Sequence, residues 1–152
     1  MLMTNTLKFS LFSFFLSFNW ISFKAQSQSL KFELEIAKPS SGEILKKGNW
    51  MISVRDKNGL IILQEVVPFK NKKQLCELQV PEFGIYSASF YLDLNLNKTL
   101  DKGFFGQPKE PYGFSNNVRN YLKQPSIESQ QFKFNNNDSI YKIILDYHFI
   151  GI

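Results

Sequence analysis

One segment of the sequence carries oxygen-bearing side chains at every second position. These side chains belong to Asp93, Asn95, Asn97, Thr99 and Asp101. Their spacing lets a tight loop turn several oxygens toward one hard cation, and the first three match positions one, three and five of the calcium-loop template. Thr99 would add its backbone carbonyl, and Asp101 a carboxylate or a bridging water. The pattern predicts a calcium site.

The match to the calcium template is incomplete. Lys98 stands where glycine usually permits the sharp turn, and Phe104 stands where a bidentate glutamate is usual. With only two carboxylates in the turn, we expect a Kd of about 10⁻⁴ to 10⁻³ M, as in extracellular modules. Glu110 is the best-placed acid to complete the shell. The alternative is that the Asp and Asn side chains only shape the loop by hydrogen-bonding to its backbone.

A second candidate surface follows in the same loop, where aromatic and amide side chains are interspersed with glycine and proline. These turn formers leave the loop little freedom in the unfolded chain, which suits a rigid structure. The candidate contact residues for a sugar or a peptide are Glu110, Tyr112, Phe114, Asn116 and Asn117. The rings would stack on the ligand and the amides would hydrogen-bond to it. The alternative is a structural plug over one end of the fold.

Residues suited to catalysis are sparse. A glycosidase needs two carboxylates that flank one bond, and the loop offers Asp93, Asp101 and Glu110 for such a pair. The sequence specifies no such geometry, so a hydrolase acting on a glycan is the alternative function. Cys76 is the only cysteine and lies on the inward phase of a predicted strand, where we expect a buried thiol. His148, the only histidine, lies on the outward phase of the last predicted strand.

Alternation of apolar and polar residues recurs along the chain and predicts the strands that must position the loop. The clearest strand covers residues 30–36, where Leu, Phe and Ile alternate with Lys and Glu. Six further strands are predicted around residues 50–54, 60–67, 76–80, 86–92, 132–134 and 141–147. An Asp-Lys-Asn-Gly sequence at residues 56–59 predicts a hairpin turn between the second and third.

About seven short strands with frequent turns predict an all-β fold. We expect an antiparallel two-sheet sandwich, immunoglobulin-like or transthyretin-like, with a small closed barrel as the main competitor. From residue 93 to about residue 126 the alternation stops, which predicts one long ordered loop without a strand or a helix. Because its aromatic rings are costly to leave in water, we expect the loop to fold back onto the sandwich. These aromatic residues are Phe104, Phe105, Tyr112, Phe114 and Tyr121.

Residues 1–25 have the three-part layout of a signal peptide. Lys8 ends a short polar start, residues 9–23 carry no charge and are rich in Phe and Leu, and Lys24 closes the run. That run is shorter than the roughly 20 apolar residues of a membrane-spanning helix, so an uncleaved anchor is the less favoured alternative. We therefore predict an exported protein, periplasmic, outer-envelope or secreted. Residues 26–152 would form one domain without a transmembrane helix.

The charge balance narrows the class of partner. The full chain has a formal net charge of +5, and removing residues 1–25 takes away two lysines and no acid, which leaves +3. Nucleic-acid binding needs a basic stripe interleaved with aromatic residues. The basic cluster Lys70, Lys72 and Lys73 lies instead in a turn-like stretch. The sequence argues against nucleic acid and leaves an envelope protein or a glycan as the expected partner.

The second half of the chain resembles the bacterial exported proteins grouped as domain of unknown function 2141. The resemblance is carried by the oxygen-bearing turn at residues 93–101 and above all by residues 104–117, FFGQPKEPYGFSNN, and it extends to Phe132. Upstream, residues 83–86 are similar to the Gly-x-Tyr entry to a strand in transthyretin-like modules. The resemblance implies a secreted β-sandwich and implies no activity.

These features favour a non-enzymatic binding or structural module of the envelope or the extracellular space. Its loop at residues 93–117 would bind calcium weakly, and no other cofactor is expected. A hydrolase built on the loop carboxylates is the alternative from a different functional class.

Overall fold

The computed structural model describes residues 26–37, 47–120 and 123–147. The predicted signal peptide, Tyr121 and His148 lie outside the described residues. In chain order the elements are β1 (Gln28–Ile36), β2 (Asn49–Arg55), β3 (Ile61–Pro68), β4 (Lys73–Val80), β5 (Gly84–Asp93), β6 (Tyr112–Phe114), a 3₁₀ turn (Ser115–Asn117), α1 (Ile127–Gln130), β7 (Phe132–Phe134) and β8 (Ile140–Leu145). The described residues are therefore all-β with almost no helix. No helix in the described ranges is long and apolar enough to cross a bilayer.

Each of the seven predicted strand segments forms a strand. The alternation that predicts them reappears as alternating burial, which is regular in β2 and β4. The last strand ends at Leu145, whereas the sequence predicts an end near residue 147. An all-β fold is therefore confirmed.

The strands form two sheets. The three-stranded sheet has the order β4-β1-β8, and the five-stranded sheet has the order β3-β2-β5-β6, with β7 also paired to β5. β1 is antiparallel to β4 but parallel to β8. The prediction that all strands are antiparallel is therefore wrong for the three-stranded sheet.

The parallel pair arises from where the chain crosses between the sheets. β7 pairs with β5 in one sheet, and β8 then joins β1 in the other. In the crossing segment, Asn137 Oδ1 accepts a hydrogen bond from Ser29 N at 2.9 Å, and Asn137 Nδ2 donates to Gln28 Oε1 at 3.0 Å. These bonds hold the crossing beside the first residues of β1, so β8 runs in the same direction as β1.

Side chains from both sheets pack in one core. The rings of Phe32 in β1 and Phe90 in β5 meet edge to face, with centroids 4.9 Å apart. Trp50 in β2 is buried, and its Nε1 donates to Gln74 Oε1 of β4 at 3.0 Å. The residues with the largest fully buried side chains include Trp50, Phe32, Phe134, Leu30, Leu34, Leu92, Ile143 and Leu145. The five-stranded sheet is thereby held against the three-stranded one.

The segment after β5 is not the loop without secondary structure that the sequence predicts. β6 pairs with β5 through Tyr91 and Tyr112, and the 3₁₀ turn follows it. Tyr112 also forms an antiparallel bridge with Asp146, whose N and O bond to Tyr112 O and N at 3.1 and 3.0 Å. β6 thus joins the two sheets along one edge. A Cβ at Gly113 would lie 2.8 Å from Ile144 O, so only glycine allows this close approach of two backbones.

Candidate functional site

Asp93 is the last residue of β5 and anchors the turn that follows it. Its side chain is fully buried. Asp93 Oδ1 accepts hydrogen bonds from Leu96 N at 2.7 Å and Asn97 N at 3.3 Å, and Oδ2 accepts one from Lys98 N at 2.8 Å. Leu96 and Lys98 have φ values of 65° and 63°, which curl the backbone around the carboxylate. The carboxylate therefore satisfies turn N–H groups and faces no open cleft.

The other four residues of the predicted calcium turn form one hydrogen-bonded cluster. Asn95 Nδ2 donates to Asp101 Oδ2 at 2.6 Å, and Asn97 Nδ2 donates to Asp101 Oδ1 at 3.1 Å. Asn97 Oδ1 accepts from both the N and the Oγ1 of Thr99 at 2.8 Å. The structure brings the predicted residues together. The two amides present N–H groups, rather than oxygens, to the Asp101 carboxylate.

Glu110 joins the far end of the loop to this turn. Its side chain is buried, and its carboxylate accepts from Leu94 N at 2.8 Å and from Asp101 N at 3.2 Å. Burial raises the pKa of the Glu110 carboxyl above its usual value; the two N–H groups oppose this rise, and the charges of Asp93 and Asp101 add to it. In the described part of the chain, none of these three carboxylates forms an ion pair with a lysine, arginine or histidine.

Carboxylates alone do not make a metal centre here. Across residues 26–37, 47–120 and 123–147, no three His, Cys, Asp or Glu side chains are grouped so that they could hold a metal ion. A cation at the turn would need the amide oxygens of Asn95 and Asn97 and a backbone carbonyl as well. The lysine at the glycine position of the calcium template does not prevent the turn. Lys98 adopts the left-handed conformation that glycine has in the template.

The residues of the second candidate surface are mostly engaged within the fold. Tyr112 and Phe114 are half-buried in β6, with ring centroids 5.9 Å apart. Asn116 Nδ2 donates to Ser129 O and Gln131 O at 3.2 and 2.7 Å. Asn117 Nδ2 donates to Lys142 O at 3.0 Å, and its Oδ1 accepts from Ile144 N at 2.8 Å. The two amides thus tie the loop to neighbouring backbone.

Two aromatic rings stand at the apex of the loop, where the sequence predicts that they fold back. Phe104 is 96% exposed and Phe105 is 81% exposed, so that prediction is wrong for both. They lie at the end of a narrow hairpin closed by a bridge between Lys102 and Pro108. We call residues 102–109 the aromatic tip. A Gly-Phe-Phe-Gly sequence at residues 103–106 is the signal that predicts such a turn.

Two other features of the described residues lie apart from the loop carboxylates. Cys76 is buried as expected, and burial raises the pKa of its thiol to about 11, which leaves little reactive thiolate at neutral pH. A depression of about 300 Å³ lies over β2, β3 and β5 and includes Glu65, Tyr91 and Lys98 in its lining. None of the three loop carboxylates lines it.

Comparison with known proteins adds one finding. A family model described as "Uncharacterized protein conserved in bacteria (DUF2141)" matches residues 37–141, about two thirds of the chain. The matched region includes the whole loop from Asp93 to Asn117. No curated protein and no solved structure matches the chain.

Proposed function

The chain belongs to the DUF2141 family of bacterial proteins, and we propose that it is an exported, non-enzymatic binding or structural module of the envelope or the extracellular space. One observation carries this proposal: the carboxylates of Asp93 and Glu110 are buried and hold the backbone of the loop, while its apex presents apolar side chains to the outside. Such a loop is built to present a surface. Export is supported by the signal-peptide layout of residues 1–25.

The burial of Asp93 and Glu110 favours a module over a hydrolase. A glycosidase needs its two carboxyl groups on either side of a substrate bond, in a cleft that the glycan can enter. Asp93 is 0% exposed and Glu110 is 4% exposed, and both accept hydrogen bonds from backbone N–H groups. A substrate could reach them only if the turn opened.

We infer that the two sheets form a β-sandwich of the immunoglobulin-like or transthyretin-like kind. The contact between Phe32 and Phe90 and the hydrogen bond between Trp50 and Gln74 support face-to-face packing of the sheets. In such folds the connecting loops gather at the ends of the sheets, where they can be exchanged without loss of the core. The loop from Asp93 to Asn117 would be one of them.

An assay on envelope glycans separates the module from the hydrolase. We expect that the purified protein, incubated with an envelope fraction, sediments with it and releases no soluble reducing sugar. The protein Asp101→Asn serves as the matched variant, because it removes the half-buried acid of the turn and leaves the aromatic tip intact. Sugar release by the wild type that is lost in Asp101→Asn would establish the hydrolase instead.

We propose in addition that the turn at residues 93–101 binds calcium weakly. The left-handed Lys98 and the clustering of the Asn95 and Asn97 side chains around the Asp101 carboxylate support this site. Amide hydrogens of Asn95 and Asn97 now stand beside the Asp101 carboxylate. Rotating both amides by half a turn would offer their oxygens to the cation.

Calcium should raise the thermal stability of the protein. At about 5 mM calcium and a Kd of about 10⁻⁴ to 10⁻³ M, mass action predicts about 1 to 2 kcal/mol of stabilisation. That corresponds to a rise in Tm of about 3 to 8 °C. The protein Asp101→Ala should show no rise, while Asp138→Ala, an exposed turn residue, should behave as the wild type. An unchanged Tm, or an equal rise with magnesium, would reject the site.

The calcium effect should weaken in acid. Calcium binds the charged carboxylates, and the raised pKa of Glu110 means that this group gains its proton at a higher pH than a free glutamate does. The calcium-dependent rise in Tm therefore depends on pH. It should diminish as the pH falls through the pKa of Glu110, which the same melts repeated across that range would follow.

A further inference from the structure

The aromatic tip is an ordered hairpin rather than a loose loop. Gly103 N donates to Gln107 O at 2.7 Å, and Gly106 N donates to Gly103 O at 2.9 Å. Phe105 N donates to Gln107 Oε1 at 3.1 Å. Gly106 has a φ of 79°, the left-handed position that closes a three-residue hairpin. This backbone holds the two phenylalanines at the apex.

The two rings of the tip contact each other and little else. Their centroids are 5.2 Å apart and their planes are perpendicular. Because Phe104 is 96% exposed, it is the most exposed of the large apolar residues in the described ranges. Single exposed apolar residues need no explanation, but two adjacent phenylalanines on a projecting turn indicate a binding surface.

The charged side chains of the aromatic tip are positive. Lys102 and Lys109 lie on its two arms, and both are exposed. Of the acids nearest in sequence, Asp93 and Glu110 are buried, and the half-buried Asp101 carboxylate accepts from the amides of Asn95 and Asn97. The charged side chains within the aromatic tip itself, residues 102–109, are therefore both lysines, and both are exposed.

This combination fits a lipid surface better than a protein surface. A stable protein interface buries about 800 Å² on each partner around a packed centre, and two rings on a narrow turn provide only a small part of that area. A bilayer interface accepts isolated aromatic rings at headgroup depth. Lysines beside them keep their ammonium groups at the level of anionic headgroups, which attract them.

We propose that the aromatic tip inserts Phe104 and Phe105 into the interface of an anionic lipid bilayer, with Lys102 and Lys109 binding the headgroups. This inference rests on the proposed binding module and identifies its partner, and it is independent of calcium. The attachment is peripheral and reversible, because two rings and two lysines bury too little for permanent anchoring. The sandwich would then stand on the membrane surface.

Sedimentation with vesicles tests the insertion. The protein comprising residues 26–152 should bind vesicles that contain about 30% phosphatidylglycerol, and it should bind vesicles of pure phosphatidylcholine much less. Replacing both phenylalanines (Phe104→Ser with Phe105→Ser) should weaken partitioning at least about tenfold. Each of Lys102→Gln and Lys109→Gln should weaken it about fivefold. The matched control is Leu60→Ser with Ile61→Ser, a pair 66% and 51% exposed away from the tip, which should bind as the wild type.

A fluorescent probe reports insertion directly. The variant Phe105→Trp should show a blue shift of its tryptophan emission on anionic vesicles, because the indole leaves water, and none on neutral ones. Failure of the wild type to bind vesicles, equal binding after loss of both phenylalanines, or an unshifted emission would each overturn the proposal. If those results came with intact sedimentation on envelope fractions that is lost on protease treatment of the fraction, the partner would be a protein and the module itself would stand.

Discussion

The substitution Asp93→Ala should lower the free energy of unfolding by about 3 kcal/mol or more. The fully buried Asp93 carboxylate accepts three backbone hydrogen bonds, from Leu96, Asn97 and Lys98. Hydrogen bonds to a charged group contribute about 1.5 to 3 kcal/mol each, and their removal leaves N–H groups without an acceptor. The turn would also lose the group that stabilises its two left-handed residues. Urea unfolding with linear extrapolation measures the loss.

Comparison of two substitutions at Asp93 tests whether the loss of stability comes from the hydrogen bonds. Asp93→Asn keeps one acceptor oxygen and replaces the other with a donor, so its loss should fall between those of the wild type and Asp93→Ala. The control Asp138→Ala removes an exposed carboxylate from another turn and should change stability by less than about 0.5 kcal/mol. A loss from Asp93→Ala as small as that of the control would show that the turn is held by other contacts.

The substitution Phe32→Ala should cost about 3 to 5 kcal/mol of stability, the range for truncating a buried phenylalanine. Phe32 is fully buried in β1, and its ring meets those of Phe90, Phe132 and Tyr141. These neighbours belong to β5, β7 and β8, so one truncation removes contacts within and between the sheets. The cavity would be lined by rings that cannot collapse far.

Phe104→Ala is the matched control for this truncation. It removes the same atoms from a residue that is 96% exposed, so its effect on urea unfolding should stay within about 0.5 kcal/mol. Together the two variants distinguish a phenylalanine of the core from an exposed one. A cost below about 1 kcal/mol for Phe32→Ala would contradict the shared core, and with it the inferred sandwich.

The strands could be predicted because their signal is local. Burial of one sheet face requires apolar residues at every second position. This pattern can be recognised in residues 30–36 and 76–80 without information about the rest of the chain. The burial of Cys76 followed from the same phase. The gathering of Asn95, Asn97, Thr99 and Asp101 was also predictable, since short polar side chains at this spacing reach each other within one turn.

β6 and the orientation of the amides could not be predicted in this way. A three-residue strand with glycine at its centre is too short for a period, and it exists because Tyr112 finds partners in β5 and beside β8. Whether the Asn95 and Asn97 side chains offer oxygen or N–H depends on which group stands opposite. The sequence places those residues at the turn, and the neighbouring Asp101 carboxylate decides the hydrogen bonding.

The sequence by itself determined the all-β class, the seven main strands and the turn that begins at Asp93, because each depends on residues a few positions apart. The tertiary structure decided the parallel pairing of β8 with β1, the bridge between the sheets through β6 and the exposure of Phe104 and Phe105. The first two of these features depend on contacts between segments that are far apart in the sequence. The rings of Phe104 and Phe105 are exposed because the closed hairpin, bridged between Lys102 and Pro108, holds them at its end.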